Sequence, residues 1–255
     1  MIYVRKPVEI ERIGRSARIV HDALDLAGSM MRPGTRTADI DAAVEKLIRS
    51  RGAVPSFKGY YGFPASTCIS INDVVVHGIP GDRELIEGDI VGVDVGAYLD
   101  GYHGDGARTF AVGEIPEASR TLMKTTQECL ARGIEQAVVN NRVGDISAAI
   151  QAHAEANGYG VVRKLVGHGI GRALHEEPQV PNFGKAGQGP KLRAGMVLAI
   201  EPMVNEGTYE VETLEDEWTV VTRDRKRSAH FEHTVAITED GPVILTVPNG
   251  DRGGE

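Results

Sequence analysis

The sequence predicts an α+β fold made of two similar halves. Three observations carry this. Hydrophobic periods of the helical kind come twice in pairs, and each pair is followed by strand-like runs. Short stretches of the first half recur in the second at a nearly constant offset. The 255 residues, 41% hydrophobic and 25% charged, have the composition of a folded globular chain, of a length that such folds often use as one domain.

The first helix is predicted over residues 8–31, where Ile10, Ile13, Ala17, Val20, Leu24 and Ala27 recur at three- and four-residue spacing. The turn Arg32-Pro33-Gly34-Thr35 ends it. A second helix runs from Thr37 to Arg51, with Gly52 as its C-terminal cap. Short strands follow at Ser66–Ile71, Val74–His77, Asp89–Tyr98 and Arg108–Val112. The helical period returns from Glu117 to Asn140 and again from Asp145 to Asn157, where Gly158 stops it. Strands are predicted once more at Met196–Ile200, Glu217–Val221 and His233–Ile237. The polar, glycine-rich tail Asn249–Glu255 is expected to fray.

The repeated order implies a duplication. Asp39-Ile40-Asp41-Ala42-Ala43-Val44 matches Asp145-Ile146-Ser147-Ala148-Ala149-Ile150 at an offset of 106, which also brings Gly52 onto Gly158. At an offset of 107, Gly88–Asp94 meets Gly195–Glu201, so Asp94 falls opposite Glu201. Asp105 and the strand after it resemble Glu232 and the strand after it, with residues inserted in the second half. The halves run roughly 8–113 and 117–247 within a single domain, 1–255; two copies of this length are not a solenoid.

Composition narrows the function classes. No stretch approaches the ~18 apolar residues of a membrane helix. The N-terminus, MIYVRKPVEIERIGR, lacks the apolar core of a secretory signal, and Cys68 and Cys129 are too few for a disulfide scaffold, so a reducing cytoplasm is expected. A net charge of −8 disfavours a nucleic-acid partner and leaves carboxylates free to serve as metal ligands.

Strand alternation indicates where the acids point. Val91, Val93 and Val95 share one face and Asp94 takes the other; Leu198 and Ile200 share one face and Glu201 takes the other. Asp105 shares its face with Ala107, Thr109 and Ala111, and Glu232 shares its face with Thr234, Ala236 and Thr238. Four acids converging on faces lined by small residues repel one another unless protons or cations intervene. Two divalent cations bridged by carboxylates solve this and would supply a nucleophilic hydroxide at neutral pH. Any one acid alone would read as a solvated or capping residue; the set of four carries the inference.

Among the histidines, His168 lies in Val166-Gly167-His168-Gly169-Ile170-Gly171, where glycines permit close backbone approach. His175 follows in Leu174-His175-Glu176-Glu177-Pro178, and His77 ends the apolar run Val74-Val75-Val76. His21, His103, His153, His230 and His233 are assigned no role, although His103 and His230 each stand two residues from a proposed ligand.

Taken together, His77-Gly78-Ile79-Pro80, Asp94, Gly101-Tyr102-His103-Gly104-Asp105, the glycine-flanked His168, His175-Glu176, Ile200-Glu201-Pro202 and Phe231-Glu232-His233-Thr234 resemble the type I, bacterial-type methionine aminopeptidases from about residue 8 to 247. The resemblance implies the pita-bread fold, with helices outside a curved, mainly antiparallel sheet. It implies five metal ligands, Asp94, Asp105, His168, Glu201 and Glu232, holding two divalent ions of Co, Mn or Fe(II). Asp105 and Glu232 would bridge both ions, Asp94 would serve one, and His168 with Glu201 the other. A hydroxide held by the two metals would attack the first peptide carbonyl, with Glu201 as proton shuttle and His77 and His175 as substrate contacts that stabilise the tetrahedral intermediate. The methionine pocket would be walled by Phe57, Tyr60, Phe63, Cys68 and Trp218; Phe57 and Leu174 depart from residue types common in the family. A monovalent-cation loop would involve Asn72, Val74 and Ser228. The substrates would be N-termini of nascent polypeptides with a small second residue, met near the ribosome by a cytoplasmic monomer with no membrane partner and no dedicated nucleic-acid domain.

Two alternatives remain at this level. A prolidase-like relative usually carries a substantial N-terminal extension, for which the repeat beginning near residue 8 leaves no room. A binding protein that has lost its metals would lack some of the ligands, whereas all five are present together with both histidines. The 26 residue steps from His175 to Glu201 exclude the long insertion of the type II form, and no docking extension is expected before the catalytic part.

Overall fold

The computed structural model describes residues 1–247. Helices α1 (Pro7–Ser29) and α2 (Thr37–Ser50) open the chain, followed by strands β1 (Val54–Pro55), β2 (Thr67–Ile71) and β3 (Val74–Val76) and a long hairpin of β4 (Ile90–Leu99) and β5 (Tyr102–Ala111). Helices α3 (Glu117–Glu135) and α4 (Val143–Ala156) come next. Then follow β6 (Gly160–Val161), β7 (Gly167–Gly169), β8 (Glu176–Val180), β9 (Val197–Ile200), β10 (Met203–Asn205), β11 (Val211–Thr213) and β12 (Val220–Thr222). The last strands are β13 (Ser228–His230), β14 (Glu232–Thr238) and β15 (Gly241–Ile244). The fold is α+β, with a curved sheet whose main path is β1-β4-β5-β14-β9-β7-β8; β2 pairs with β4 and β15 with β14. The strands of this sheet pair antiparallel throughout.

Each helix pair covers one end of this sheet. Apolar residues of α1 and α2, among them Val20, Leu24, Ile40 and Val44, pack on Val91, Val93 and Val95 of β4. Those of α3 and α4, among them Leu122, Ile134, Ile146 and Ile150, pack on Leu198 and Ile200 of β9 and Val235 and Ile237 of β14. Burying the odd-numbered valines against helices turns Asp94 to the opposite face, and the same alternation turns Glu201 away from α3 and α4.

Three predicted elements have an end displaced by three residues or more, and the short strands β1, β6, β7, β8, β10, β11, β13 and β15 were not predicted. The third helix stops at Glu135, not Asn140, because Asn140 adopts φ 77° and its N–H bonds the carbonyl of Leu192 at 3.2 Å; buried Ala137 prolongs the apolar pattern but not the helix. The strand predicted from Arg108 begins six residues earlier, at Tyr102. The two-residue turn Asp100-Gly101, with φ 51° and 87°, joins it to β4 as a tight hairpin of the kind that needs positive φ at both positions. The strand predicted from Glu217 begins instead at Val220. The Asp216 carboxylate accepts the N–H groups of Trp218 and Thr219 at 2.9 and 2.8 Å and holds that stretch as a turn. Gly52 and Gly158 follow α2 and α4 as predicted, with φ 75° and 80°. The tail Asn249–Glu255 lies outside the described residues.

Candidate metal centre and substrate cavity

Sheet register alone assembles the polar cluster. Across β2, β4, β5 and β14, Cys68 stands opposite Asp94, Asp94 opposite Ala107, and Ala107 opposite Glu232. One step beyond the pair His233–Ile200, Glu201 continues this row. In the neighbouring row Gly96 stands opposite Asp105, and Thr234 opposite Ala199, which faces His168 on β7. Asp105 and Thr234 are joined across the strands: Thr234 Oγ1 accepts from the Asp105 N–H at 3.0 Å and donates to its carbonyl at 2.7 Å. All these side chains share one face, and the small residues between them leave space above the acids.

The electrostatics of the cluster are those of a cation site. Asp105 and Glu232 are buried, and no Lys or Arg lies within ion-pair distance of the four carboxylates among the described residues. Burial pushes the carboxyls of Asp105, Glu201 and Glu232 well above the usual carboxylate range, with mutual repulsion adding to it, and raises Asp94 to about 7. Burial holds His168 down at about 3, so the ring is neutral. Its Nδ1 lies 2.9 Å from the Gly169 carbonyl, which can only accept, so Nδ1 carries the hydrogen. The bare lone pair of Nε2 then faces Glu201 Oε1 at 3.6 Å and Asp105 Oδ2 at 3.8 Å. A lone pair aimed at carboxylate oxygens is repulsive without a cation between them. Asp94 Oδ1 and Glu232 Oε1 are buried without a hydrogen-bond partner. Donor atoms of Asp105, His168 and Glu232 all lie within 4.8 Å of one another. Four carboxylates and one imidazole suit divalent cations of the Mn, Fe and Co kind; the residues present therefore fit a divalent metal.

The glycines around His168 have a packing cause. A side chain at Gly167 would run into the carbonyl of Ala199 on β9, and one at Gly169 into that of Glu177 on β8. Only bare backbone lets β7 sit between its neighbours closely enough to deliver the ring.

The cluster floors a cavity of about 620 Å³. His77, His175, Phe57, Tyr60, Phe63, Cys68 and Trp218 all line it. The ring of His175 meets His168 edge-on at 4.3 Å, and its Nδ1 is 2.9 Å from the Tyr60 hydroxyl. His77 is held at φ 59°, an uncommon conformation for a residue with a side chain, with its ring 6.4 Å from that of Trp218. Burial lowers the pKa of both histidines. Leu174 is buried beside Phe57, Phe63, Cys68 and Trp218, so the two departures in sequence together form one apolar wall. Tyr61, Leu165 and Met203 also line the cavity and were not singled out from the sequence, where nothing but their nearness to the motifs marked them.

Of the histidines without an assigned role, His230 is the one the structure brings to the cluster. Its Nε2 is buried without a hydrogen bond, 3.7 Å from Glu201 Oε2; the signal was its place two residues before Glu232. The other four have partners elsewhere: His21 Asp25, His103 Ser56, His153 Glu128 and His233 Thr246. Asn72, at φ 56°, accepts the Ser228 N–H on its carbonyl at 2.8 Å, which joins two of the three residues of the suggested monovalent-cation loop.

Known proteins share this arrangement. The sequence profile of metallopeptidase family M24 matches residues 11–239. A methionine aminopeptidase of Clostridium perfringens is 55% identical over 247 residues, covering 97% of this chain and 99% of its own. Methionine aminopeptidase 1 of Bacillus subtilis is 49% identical, covering 96% and 99%. The crystal structure of a Thermotoga maritima methionine aminopeptidase superposes with a TM-score of 0.95 at 46% identity, covering 96% of this chain and 99% of that one. Prolidase from Pyrococcus furiosus superposes at 0.78 and 25% identity, and the match spans 66% of its length. On its sequence, fold and buried acid cluster, the chain belongs to metallopeptidase family M24, among the methionine aminopeptidases.

Proposed function

We propose that this enzyme releases methionine from the N-terminus of nascent polypeptides whose second residue is small, as a single catalytic unit of two like halves. The observation that carries the reading is the row of Asp94, Glu232 and Glu201, flanked by Asp105 and His168, on the floor of an apolar cavity. Asp94, Asp105, Glu232, Glu201 and His168 would hold two divalent ions. Asp105 and Glu232, one from each half, would be shared between the ions; Asp94 would serve one, and His168 with Glu201 the other. When bound, such ions acidify a water and polarise a carbonyl.

The remaining work falls to the chain's own side chains. Phe57, Phe63, Cys68, Leu174 and Trp218 receive the methionine side chain and exclude water from it; Tyr60 hydrogen-bonds His175 and holds that ring over the floor. Burial keeps His77 and His175 neutral at pH 7, so each can donate one N–H to the oxygen that gains charge as the carbonyl is attacked. Glu201 takes the proton of the attacking water and passes it to the departing amine, a transfer its buried position favours. The prolidase-like alternative is weaker, because the likeness to prolidase lies at half the sequence identity of the bacterial relatives. A monomeric enzyme in the cytoplasm, working near the ribosome, suits these substrates.

The test is release of free methionine from Met-Ala-Ser and Met-Pro peptides, with and without added Mn²⁺ or Co²⁺. Metal-dependent release from Met-Ala-Ser, and little from Leu-Ala-Ser, is expected; equal turnover of the methionine and leucine peptides would refute the assignment.

A further inference from the structure

The N-terminal segment lies beside the loop that carries His175. Ile2 forms a parallel bridge with Glu177, and the Arg5 N–H bonds the carbonyl of Gly195 at 2.7 Å. The guanidinium of Arg5 pairs with Glu176 Oε2, and both side chains are about 95% buried. The other oxygen, Oε1, accepts the successive N–H groups of Arg172 and Ala173 at 2.9 and 3.1 Å. The loop from Gly171 to His175 is therefore wrapped around the Glu176 carboxylate, and Arg5 neutralises that carboxylate from behind. Gly171 packs directly on the guanidinium, which a side chain there would strike. Strand hydrogen bonds hold only the ends of this loop: the His103 N–H of β5 reaches the Gly171 carbonyl at 2.8 Å, the β7–β8 register slips between His168 and Gly169, and β8 begins only at Glu176. Below, Leu174 is sealed in the apolar cluster. His175 stands between these two anchors. Arg5 itself does not line the cavity.

We propose that Arg5 is a positioning residue: through Glu176 it fixes the 171–176 loop and so the place of the His175 ring in the cavity. The inference rests on the reading of His175 as a substrate contact. Removing Arg5 leaves a buried carboxylate without its counter-charge. Glu176 then turns toward water and lets go of the two N–H groups that shape the loop. The five proposed ligands sit on β4, β5, β7, β14 and the end of β9, so the metal cluster is not expected to change.

The experiment is a double-mutant cycle on the Mn²⁺-loaded enzyme with Met-Ala-Ser. It compares the wild type, Arg5→Met, His175→Ala and the double variant, with Mn²⁺ titration calorimetry on each. Arg5→Met is expected to lower kcat about ten- to a hundredfold, the scale of a misplaced reacting group, with KM within about twofold and Mn²⁺ binding unaltered. In the His175→Ala background the same change should cost less than about twofold more, because the ring it positions is gone. Arg5→Lys, which keeps the charge but not the fork, should recover part of kcat. An unchanged kcat, an equal loss in both backgrounds, or loss of Mn²⁺ binding would overturn the proposal. If Arg5→Met does not fold, Glu176→Gln enters the same cycle with the same criteria. If His175→Ala alone leaves kcat intact, it is the reading of His175 that fails, a result distinct from additivity.

Discussion

The two ends of the sheet are built alike and used differently. In the first half, β4 and β5 pair over their whole ten-residue lengths through a two-residue turn, and Asp94 and Asp105 come from one local hairpin. In the second half, the corresponding β9 has only four residues, and 31 residues separate its end from the start of β14. The chain between them forms β10 to β13 and brings Met203 and Trp218 to the cavity and His230 beside Glu201. The outer neighbours differ as well. Beside β4, β2 offers the buried thiol of Cys68 next to Asp94; beside β9, β7 offers the imidazole of His168 next to Ala199. The strand flanking the acids thus supplies a cavity-wall residue in one half and a candidate ligand in the other, at different registers. If the proposed duplication and ligand set hold, such a scaffold keeps its acids at the centre while its edges specialise, one for substrate and one for metal.

The largest effect is expected where the halves meet. On the proposed assignment, Asp105→Asn or Glu232→Gln removes a charge that two cations would share, so Mn²⁺ titration of the metal-free protein should show both sites weakened and activity reduced on the order of 10³-fold or more. His168→Ala removes a neutral donor from one edge and should leave a species that binds a single ion. If His168→Ala abolished both sites while Asp105→Asn left two of normal affinity, the centre would not be the shared element.

Next in size are the two histidines that line the cavity on either side of the cluster. His77→Ala and His175→Ala should each lower kcat by about 10²–10³-fold with metal content near normal, the loss expected for one hydrogen bond made in the transition state. Either variant emerging from purification without its metal would make that histidine a ligand and move the boundary between wall and centre.

Much of this was legible in the sequence, for identifiable reasons. Asp94 and Glu201 each lie on the opposite face from helix-packed valines, leucine or isoleucine, so alternation alone gave their direction. The offset of 107 also paired them. What escaped was non-local or set by turns. The start of β5 was hidden by Gly101, Gly104 and Gly106, which read as loop, although Asp100-Gly101 is itself a hairpin signal. The extent of α3 was misjudged because buried Ala137 continues its apolar period past the helix end. His230 was passed over because its meeting with Glu201 depends on β13, a three-residue strand whose pattern carries no signature.

A smaller effect tests the charge balance of the centre. The acids have folded pKa values raised above their unfolded range of ~4, so the folded chain binds the extra protons; their contribution is present at low pH and lost as pH rises through the folded value, about 7 for Asp94. The buried histidines run the other way. With His168 and His230 held at about 3, they favour folding only as pH climbs above their unfolded value of ~6.5. From about pH 7.5 upward the histidine contribution is nearly complete and the acids dominate, so the metal-free protein should lose stability as pH rises further. Bound Mn²⁺ compensates those charges. The difference in Tm between Mn²⁺-loaded and chelator-treated protein should widen by several degrees over that interval, at roughly 2–4 °C per kcal/mol. A difference that narrowed with pH would mean that the buried acids do not set the stability of this region.

The smallest effect is expected at the edge that lacks a ligand. Cys68 is buried opposite Asp94, and burial pushes its thiol well above the usual range, so the sulfur stays protonated and behaves as a small apolar group. Thiolate, not thiol, is the metal-binding form, which keeps Cys68 out of the ligand set despite its position in the same row as Asp94 and Glu232. Cys68→Ala takes away one group's worth of contact with the methionine side chain, about 1 kcal/mol by the usual value for a buried methylene. KM for Met-Ala-Ser should rise by about three- to fivefold, with kcat and the Mn²⁺ isotherm unchanged, since binding alone is weakened. A fall in Mn²⁺ affinity on this substitution would show that the β2 edge also serves the metal, and the proposed division of labour between the two edges of the sheet would then fail.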